Sequence, residues 1–176
     1  MVGAVGKVTP EVRMKRIIMH WTAGADGVNA VEADAYHFIV SRDGTITEGK
    51  DKVEDNIPPL VKGQYAAHTW KLNSYSIGVA LDAMAGAKER PFSWGKYPIT
   101  EVQVEAMCKL VAALSIQYGV PITPETVLTH AEVQPTLGVK QKFKWDITVL
   151  PGMSKPGDPV KVGQVLRDKI KTYTTH

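Results

Sequence analysis

A chain of 176 residues, 44% hydrophobic and 22% charged, fits one compact domain with a core large enough to stand without covalent staples. Its single cysteine, Cys108, excludes an intramolecular disulfide and a multi-cysteine structural zinc site. The formal charge of +3 is far short of the basic surface of a dedicated nucleic-acid binder. No run approaches the ~18 apolar residues of a membrane span. The opening Met1-Val2-Gly3-Ala4-Val5-Gly6-Lys7 has no basic segment followed by a long apolar one, which predicts synthesis in the cytoplasm without a signal peptide.

In chain order, residues 1–13 are glycine-rich and include Thr9-Pro10, the composition of a loose arm or peripheral strand. Arg16-Ile17-Ile18-Met19-His20-Trp21-Thr22 then runs three apolar residues into a histidine, the pattern of a buried strand holding one imidazole at its end. A small-residue loop leads to Asn29-Ala30-Val31-Glu32-Ala33-Asp34-Ala35, a capping residue followed by helix formers for about two turns. Two β-prone runs, 36–41 and 45–49, flank Asp43-Gly44, whose tolerance of positive φ predicts a hairpin. Period two places Tyr36, Phe38 and Val40 on one face and His37 and Ile39 on the other, so Tyr36 and His37 are not expected in one site.

Residues 50–63, with Pro58-Pro59, read as a surface loop, and Ser76-Ile77-Gly78-Val79-Ala80-Leu81 as a central strand in which Gly78 suggests a close backbone approach. Residues 83–98 read as a loop flanking a cleft. Thr100-Glu101-Val102-Gln103 has the form of a capping box, and Val104, Met107, Cys108 and Val111 follow at helical spacing until Gly119 and Pro121. This predicts the longest helix and makes Cys108 a small core residue rather than a nucleophile. Glu125-Thr126-Val127-Leu128-Thr129-His130 repeats the opening theme of a β-branched run ending in histidine. Residues 131–145 read as a long loop with Lys140, Lys142 and Lys144 at alternate positions, and a last amphipathic helix is predicted over 160–172 through Val162, Val165, Leu166, Lys169 and Ile170. Interleaved strands and helices without a repeat predict a single α/β domain with a central mixed β-sheet flanked by α-helices. Its parts are an arm over 1–13, a core over 14–150 and a C-terminal loop and helix over 151–176.

Two histidines at the ends of separate strands, with a carboxylate beyond the second, are the ingredients of a catalytic zinc site: three protein ligands and a fourth position for water. Zinc lowers the pKa of such a water to ~7. On spacing alone, a histidine after an apolar run is more often a hydrogen-bonded core or edge residue than a ligand.

The runs His20-Trp21-Thr22, Tyr36-His37-Phe38-Ile39-Val40-Ser41-Arg42-Asp43-Gly44-Thr45, Ala67-His68, Asn73-Ser74-Tyr75-Ser76-Ile77-Gly78-Val79, Thr129-His130 and Lys144-Trp145-Asp146 resemble, in that order, the zinc-dependent N-acetylmuramoyl-L-alanine amidases of type 2. That family includes phage lysozyme-type amidases and is related to peptidoglycan recognition proteins; the resemblance covers roughly residues 15 to 150. It implies a zinc-floored groove at the strand ends and hydrolysis of the amide joining N-acetylmuramic acid to L-alanine. It further implies His20, His130 and Asp146 as Zn2+ ligands and Tyr36 and Lys144 as catalytic residues. His68, Asn73, Trp21 and Thr22 would line the groove and contact substrate; a plain loop hydrogen bond is the other reading of His68, turn capping that of Asn73 and core filling that of Trp21. His37 is left to packing or a hydrogen bond.

Two features depart from the family pattern. Ala80 stands where many bacterial members carry a glutamate base, which favours a mechanism using tyrosine and lysine. Asp146-Ile147-Thr148 replaces the frequent Asp-Pro-Gly, which leaves Glu132 as a possible substitute ligand. The resemblance implies a phage or prophage endolysin acting on peptidoglycan, with a cytoplasmic muropeptide-recycling amidase or a non-catalytic muropeptide-binding module as alternatives. A monomer is expected, with neither nucleic acid nor membrane insertion.

Overall fold

The computed structural model describes residues 10–174; most of the predicted arm, residues 1–9, lies outside them. Five strands form one mixed sheet: β1 (Arg16–Trp21), β2 (Phe38–Val40), β3 (Ile46–Glu48), β4 (Ser76–Leu81) and β5 (Val127–Thr129). Their spatial order is β3-β2-β4-β1-β5. Only the β2–β3 hairpin is antiparallel; β2 with β4, β4 with β1 and β1 with β5 are all parallel. Among the described residues, four α-helices, α1 (Ala30–Ala35), α2 (Glu101–Tyr118), α3 (His130–Leu137) and α4 (Pro159–Thr172), and one 3-10 turn (Val53–Asn56) complete the α/β domain. None of the described helices is long and apolar enough to cross a membrane.

The sheet buries both faces because its central strands alternate two apolar sets. Ile17, Met19 and Trp21 of β1 join Val79 and Leu81 of β4 in the main core, with Val104, Met107 and Val111 of α2 and Leu166 and Ile170 of α4. Ile18 points the other way and meets Leu128 and Val133 in a second cluster under α3. Each fully buried Ile, Leu or Met contributes roughly 1.5–3 kcal/mol over its exposed state, so β1 is held from both sides. Its register sets Ile18 opposite Gly78 and Leu128, and His20 opposite Ala80. The carboxyl ends of β1, β4 and β5 therefore share one edge of the sheet, where open α/β sheets place their ligands.

Local signals fix the helix ends. Thr100 and Gln103 close the capping box of α2, and Gly119 ends the helix at φ 66°. The Gln103 amide also donates to the carbonyls of Val40 and Asp82, fastening α2 to β2 and to the end of β4. Cys108 is fully buried and its thiol is pushed up to about 12, by burial first, so it is an inert core residue.

Four expectations are corrected. Residues 131–145 are not one loop: the first part is α3, started where Glu132 accepts from the Thr129 N–H and hydroxyl and ended at Gly138. Val165 is half-exposed, and the face of α4 that carries Leu166 and Ile170 buries Arg167 instead. The hairpin strands are shorter than predicted because Tyr36 is the C-cap of α1, not a strand residue. Period two therefore fails at Tyr36, which parts from Phe38 and Val40 and turns toward His20. Finally, no residue of the 83–98 loop lines the groove at the strand ends. Phe92 packs behind it against Trp145, and Glu89 to Phe92 border a separate hollow of about 430 Å³.

Candidate active site

A groove of about 720 Å³ opens at the carboxyl ends of β1 and β5, with His130 and Asp146 in its lining and His20 beneath. His20 is the fifth residue of β1 and His130 the first of α3, directly after β5. Asp146 enters from the loop after α3. Its carboxylate accepts from the Trp21 backbone N–H at 3.3 Å, which fixes it against the end of β1. The Nδ1 atoms of His20 and His130 lie 3.0 Å apart, and they face the two oxygens of Asp146 at 3.4 and 3.5 Å. All three residues are buried, and they form a group able to hold a metal ion.

The outer hydrogen bonds assign the tautomers. His68 Nε2 lies 3.2 Å from the Ser76 carbonyl, which can only accept, so its Nδ1 is an acceptor. That atom lies 2.8 Å from the Thr69 hydroxyl and 3.1 Å from His20 Nε2; a proton on His20 Nε2 avoids opposing two lone pairs there and turns the Nδ1 lone pair inward. His130 Nε2 faces the Gln141 side-chain oxygen at 2.7 Å and is likewise the donor there. Two inward lone pairs beside a carboxylate repel one another unless a cation lies among them. Burial pushes His20 down to about 4, so it is neutral at physiological pH. A tetrahedral zinc with ligands at ~2.0–2.2 Å has donor–donor edges of roughly 3.3–3.6 Å; the two histidine–carboxylate separations match this and the histidine–histidine one is about 0.3 Å shorter. The donor set and its protonation states fit zinc.

Glu132 is not a substitute ligand. Its carboxylate is fully buried in an ion pair with Arg167, at 2.9 Å, and also accepts from the Thr129 N–H. His37 accepts from the Gly78 N–H and donates to Asn56, and it is absent from the groove lining. Tyr36 lines the groove with its ring 5.2 Å from that of His20. Lys144 is an exposed groove residue whose charge reaches His20 and helps lower its pKa.

The four predicted substrate contacts all border the groove, with much of their polarity already engaged. Asn73 accepts from the N–H groups of His68 and Thr69 and so caps the turn that carries His68. The Thr22 hydroxyl donates to Asp82 and accepts from the Gly24 N–H. Trp21 is buried, edge-on to Trp145 with centroids 4.6 Å apart. His68 backs His20, and the close approach predicted at Gly78 is made by its ring: a Cβ on Gly78 would lie 2.5 Å from His68 Cγ. Because that ring is pinned on two sides, Gly78→Ala is expected to cost about 1–3 kcal/mol, read from urea denaturation. An unchanged midpoint would mean that the ring swings aside freely.

A second acidic pair lies beneath the 22–29 loop. Glu32 on α1 is hydrogen-bonded to Asp82, and burial followed by the Asp82 charge pushes its carboxyl up to about 7 from an ordinary 4.5. The folded state therefore binds a proton that the unfolded state releases between those values. This contribution to stability is complete below pH 4.5 and is lost as pH rises through about 7. Wild type is expected to lose stability over that interval relative to Glu32→Gln, as measured by denaturation at a series of pH values. Parallel pH curves for the two proteins would contradict it.

The sequence contains no motif that points to Gln141, Arg167 or Asp82. Each acts through a partner far away along the chain, and only Glu132 announces itself, through the Thr129-x-x-Glu132 capping pattern.

Fold and site together define an α/β domain with a candidate mononuclear metal centre of the hydrolytic kind. The chain belongs to the N-acetylmuramoyl-L-alanine amidase family (Amidase_2), whose profile matches residues 10–148. It is 34% identical over 100 residues to an endolysin of Klebsiella phage KP32, a match covering 57% of this chain and 54% of that protein. The match thus spans about half the length of that relative. Among solved structures, the N-acetylmuramoyl-L-alanine amidase LysC from Clostridium intestinale URNW aligns over 88% of this chain and 87% of its own, with 18% identity and a TM-score of 0.49. Drosophila peptidoglycan recognition protein SA aligns over 69% and 70%, with 15% identity and a TM-score of 0.43.

Proposed function

We propose that the chain is a zinc-dependent amidase that cleaves the bond between N-acetylmuramic acid and L-alanine in peptidoglycan, as a phage or prophage endolysin. The observation that carries this reading is the convergence of His20, His130 and Asp146 at the floor of the groove, with both imidazole lone pairs turned inward. Family membership and the endolysin from phage KP32 support the substrate and the biological setting.

His20, His130 and Asp146 would hold the metal. Zinc bound there supplies Lewis-acid polarisation and a water acidic enough to attack at neutral pH. As a carboxylate, Asp146 would balance part of the cation's charge. Burial, then Asp146 and Glu32, push the Tyr36 phenol above its ordinary value. Tyr36 accordingly acts as a hydrogen-bond donor that orients the attacking water, not as its base. Lys144 reaches in from the exposed rim and stabilises negative charge as it develops on the scissile carbonyl oxygen. Trp21 and Thr22 form the wall beside the substrate. His68 and Asn73 serve the same wall indirectly, His68 by holding His20 and Asn73 by holding the turn before it.

Intact sacculi and soluble anhydro-muropeptides, compared at equal muramic acid content, test the setting. An endolysin cuts the sacculi at least as fast as the soluble substrate. Activity confined to soluble muropeptides would instead identify a recycling enzyme.

A further inference from the structure

Gln141 is almost fully buried between the two walls of the groove, and its bonds reach three parts of the site. Its side-chain nitrogen donates to the Trp70 backbone carbonyl at 2.9 Å. A carbonyl only accepts, so this bond fixes the orientation of the amide and leaves the side-chain oxygen to face His130 Nε2 at 2.7 Å. The Gln141 N–H is bonded to the Gln134 side chain on α3, the helix that begins with His130. Its carbonyl accepts from the Lys144 N–H at 3.3 Å. Between these anchors Lys142 and Phe143 both adopt positive φ, 49° and 60°, a region that side chains disfavour and that persists only where neighbouring contacts enforce it.

We propose that Gln141 is a positioning residue of the metal centre: its amide holds His130 in the tautomer that aims Nδ1 at Asp146 and His20, and ties that ligand to the opposite groove wall at Trp70. This rests on the reading of the three-residue cluster as a metal site. The bond to Trp70 orients the amide, the oriented amide requires a proton on His130 Nε2, and that proton leaves Nδ1 free to coordinate. The Lys144 N–H is held by the backbone carbonyl of the same residue, so the side chain of Gln141 serves the ligand and its main chain the loop that carries the proposed oxyanion group.

Two variants separate this role from general structural support. Gln141→Met keeps length and apolar volume but has no acceptor for His130. Gln141→Glu keeps an acceptor for His130 and replaces the donor to Trp70 with a carboxylate oxygen. Zinc affinity is measured by chelator competition on folded protein, and cobalt(II) absorption reports the ligand geometry. Relative to wild type, Gln141→Met is expected to bind zinc about 10- to 100-fold more weakly with an altered cobalt spectrum, and Gln141→Glu to recover most of the affinity. Wild-type affinity in Gln141→Met, or a Gln141→Glu variant no better than it, overturns the proposal and leaves the metal-site reading intact. A wild-type protein that binds neither metal overturns both. Should Gln141→Met not fold, nitrogen NMR of the metal-free wild type reads the tautomer directly: a proton on His130 Nε2 is expected, and one on Nδ1 overturns the assignment.

Discussion

Arg167→Ala is expected to destabilise the fold by about 3–5 kcal/mol, the usual result of leaving one member of a buried ion pair unpaired. The guanidinium is fully buried and grips both oxygens of Glu132, at 3.1 and 2.9 Å, while one of its nitrogens also donates to the Val127 carbonyl. Glu132 in turn accepts from the Thr129 N–H at the start of α3. The pair thereby joins the end of β5, the first turn of α3 and the middle of α4 behind His130. A Cβ on Gly163 would come within 1.8 Å of Glu132, so glycine is what lets α4 lie this close. Urea denaturation should register the loss. The double variant Glu132→Gln with Arg167→Met keeps an acceptor for Thr129 without burying a lone charge, and is expected to lose clearly less than Arg167→Ala. Equal losses would show that packing, not charge pairing, dominates there.

Lys144→Ala is expected to lower turnover about 10²- to 10³-fold, the range found when one preorganised oxyanion donor is removed, with zinc still bound. The side chain is exposed and absent from the ligand cluster, so its loss leaves His20, His130 and Asp146 in place. The effect should fall on kcat more than on KM, because the charge it meets grows in the transition state. Metal analysis beside steady-state kinetics checks both halves. Loss of zinc from the variant would assign Lys144 a structural role instead.

What the sequence discloses here is what local pattern encodes. The buried run of β1 and the capping box and apolar face of α2 each lie within one window of chain, and the structure places them with shifts of a residue or two at their ends. Helix α3 is equally local, but Pro135 and the polar residues around it mask a start that Thr129 and Glu132 do mark. The two histidines are legible as strand-end residues. Asp146 is not, because its place comes from a loop that returns to the Trp21 N–H, and only resemblance to a family points to it. Period two misplaces Tyr36 because the capping box of Asn29 and Glu32 carries α1 right up to it. Arg167 with Glu132, Asp82 with Glu32 and Gln141 with Trp70 are pairings between distant segments. Periodicity and propensity carry no record of such partners, which exist only once the chain is folded.

The most direct test of the central claim is incubation of zinc-loaded protein with purified sacculi, with and without a chelator, assaying new alanine amino termini and new reducing sugar ends. Alanine termini that appear only without chelator, and no new reducing ends, are the expected result. Zinc-bound protein that releases no alanine termini, or that releases reducing ends, would contradict it.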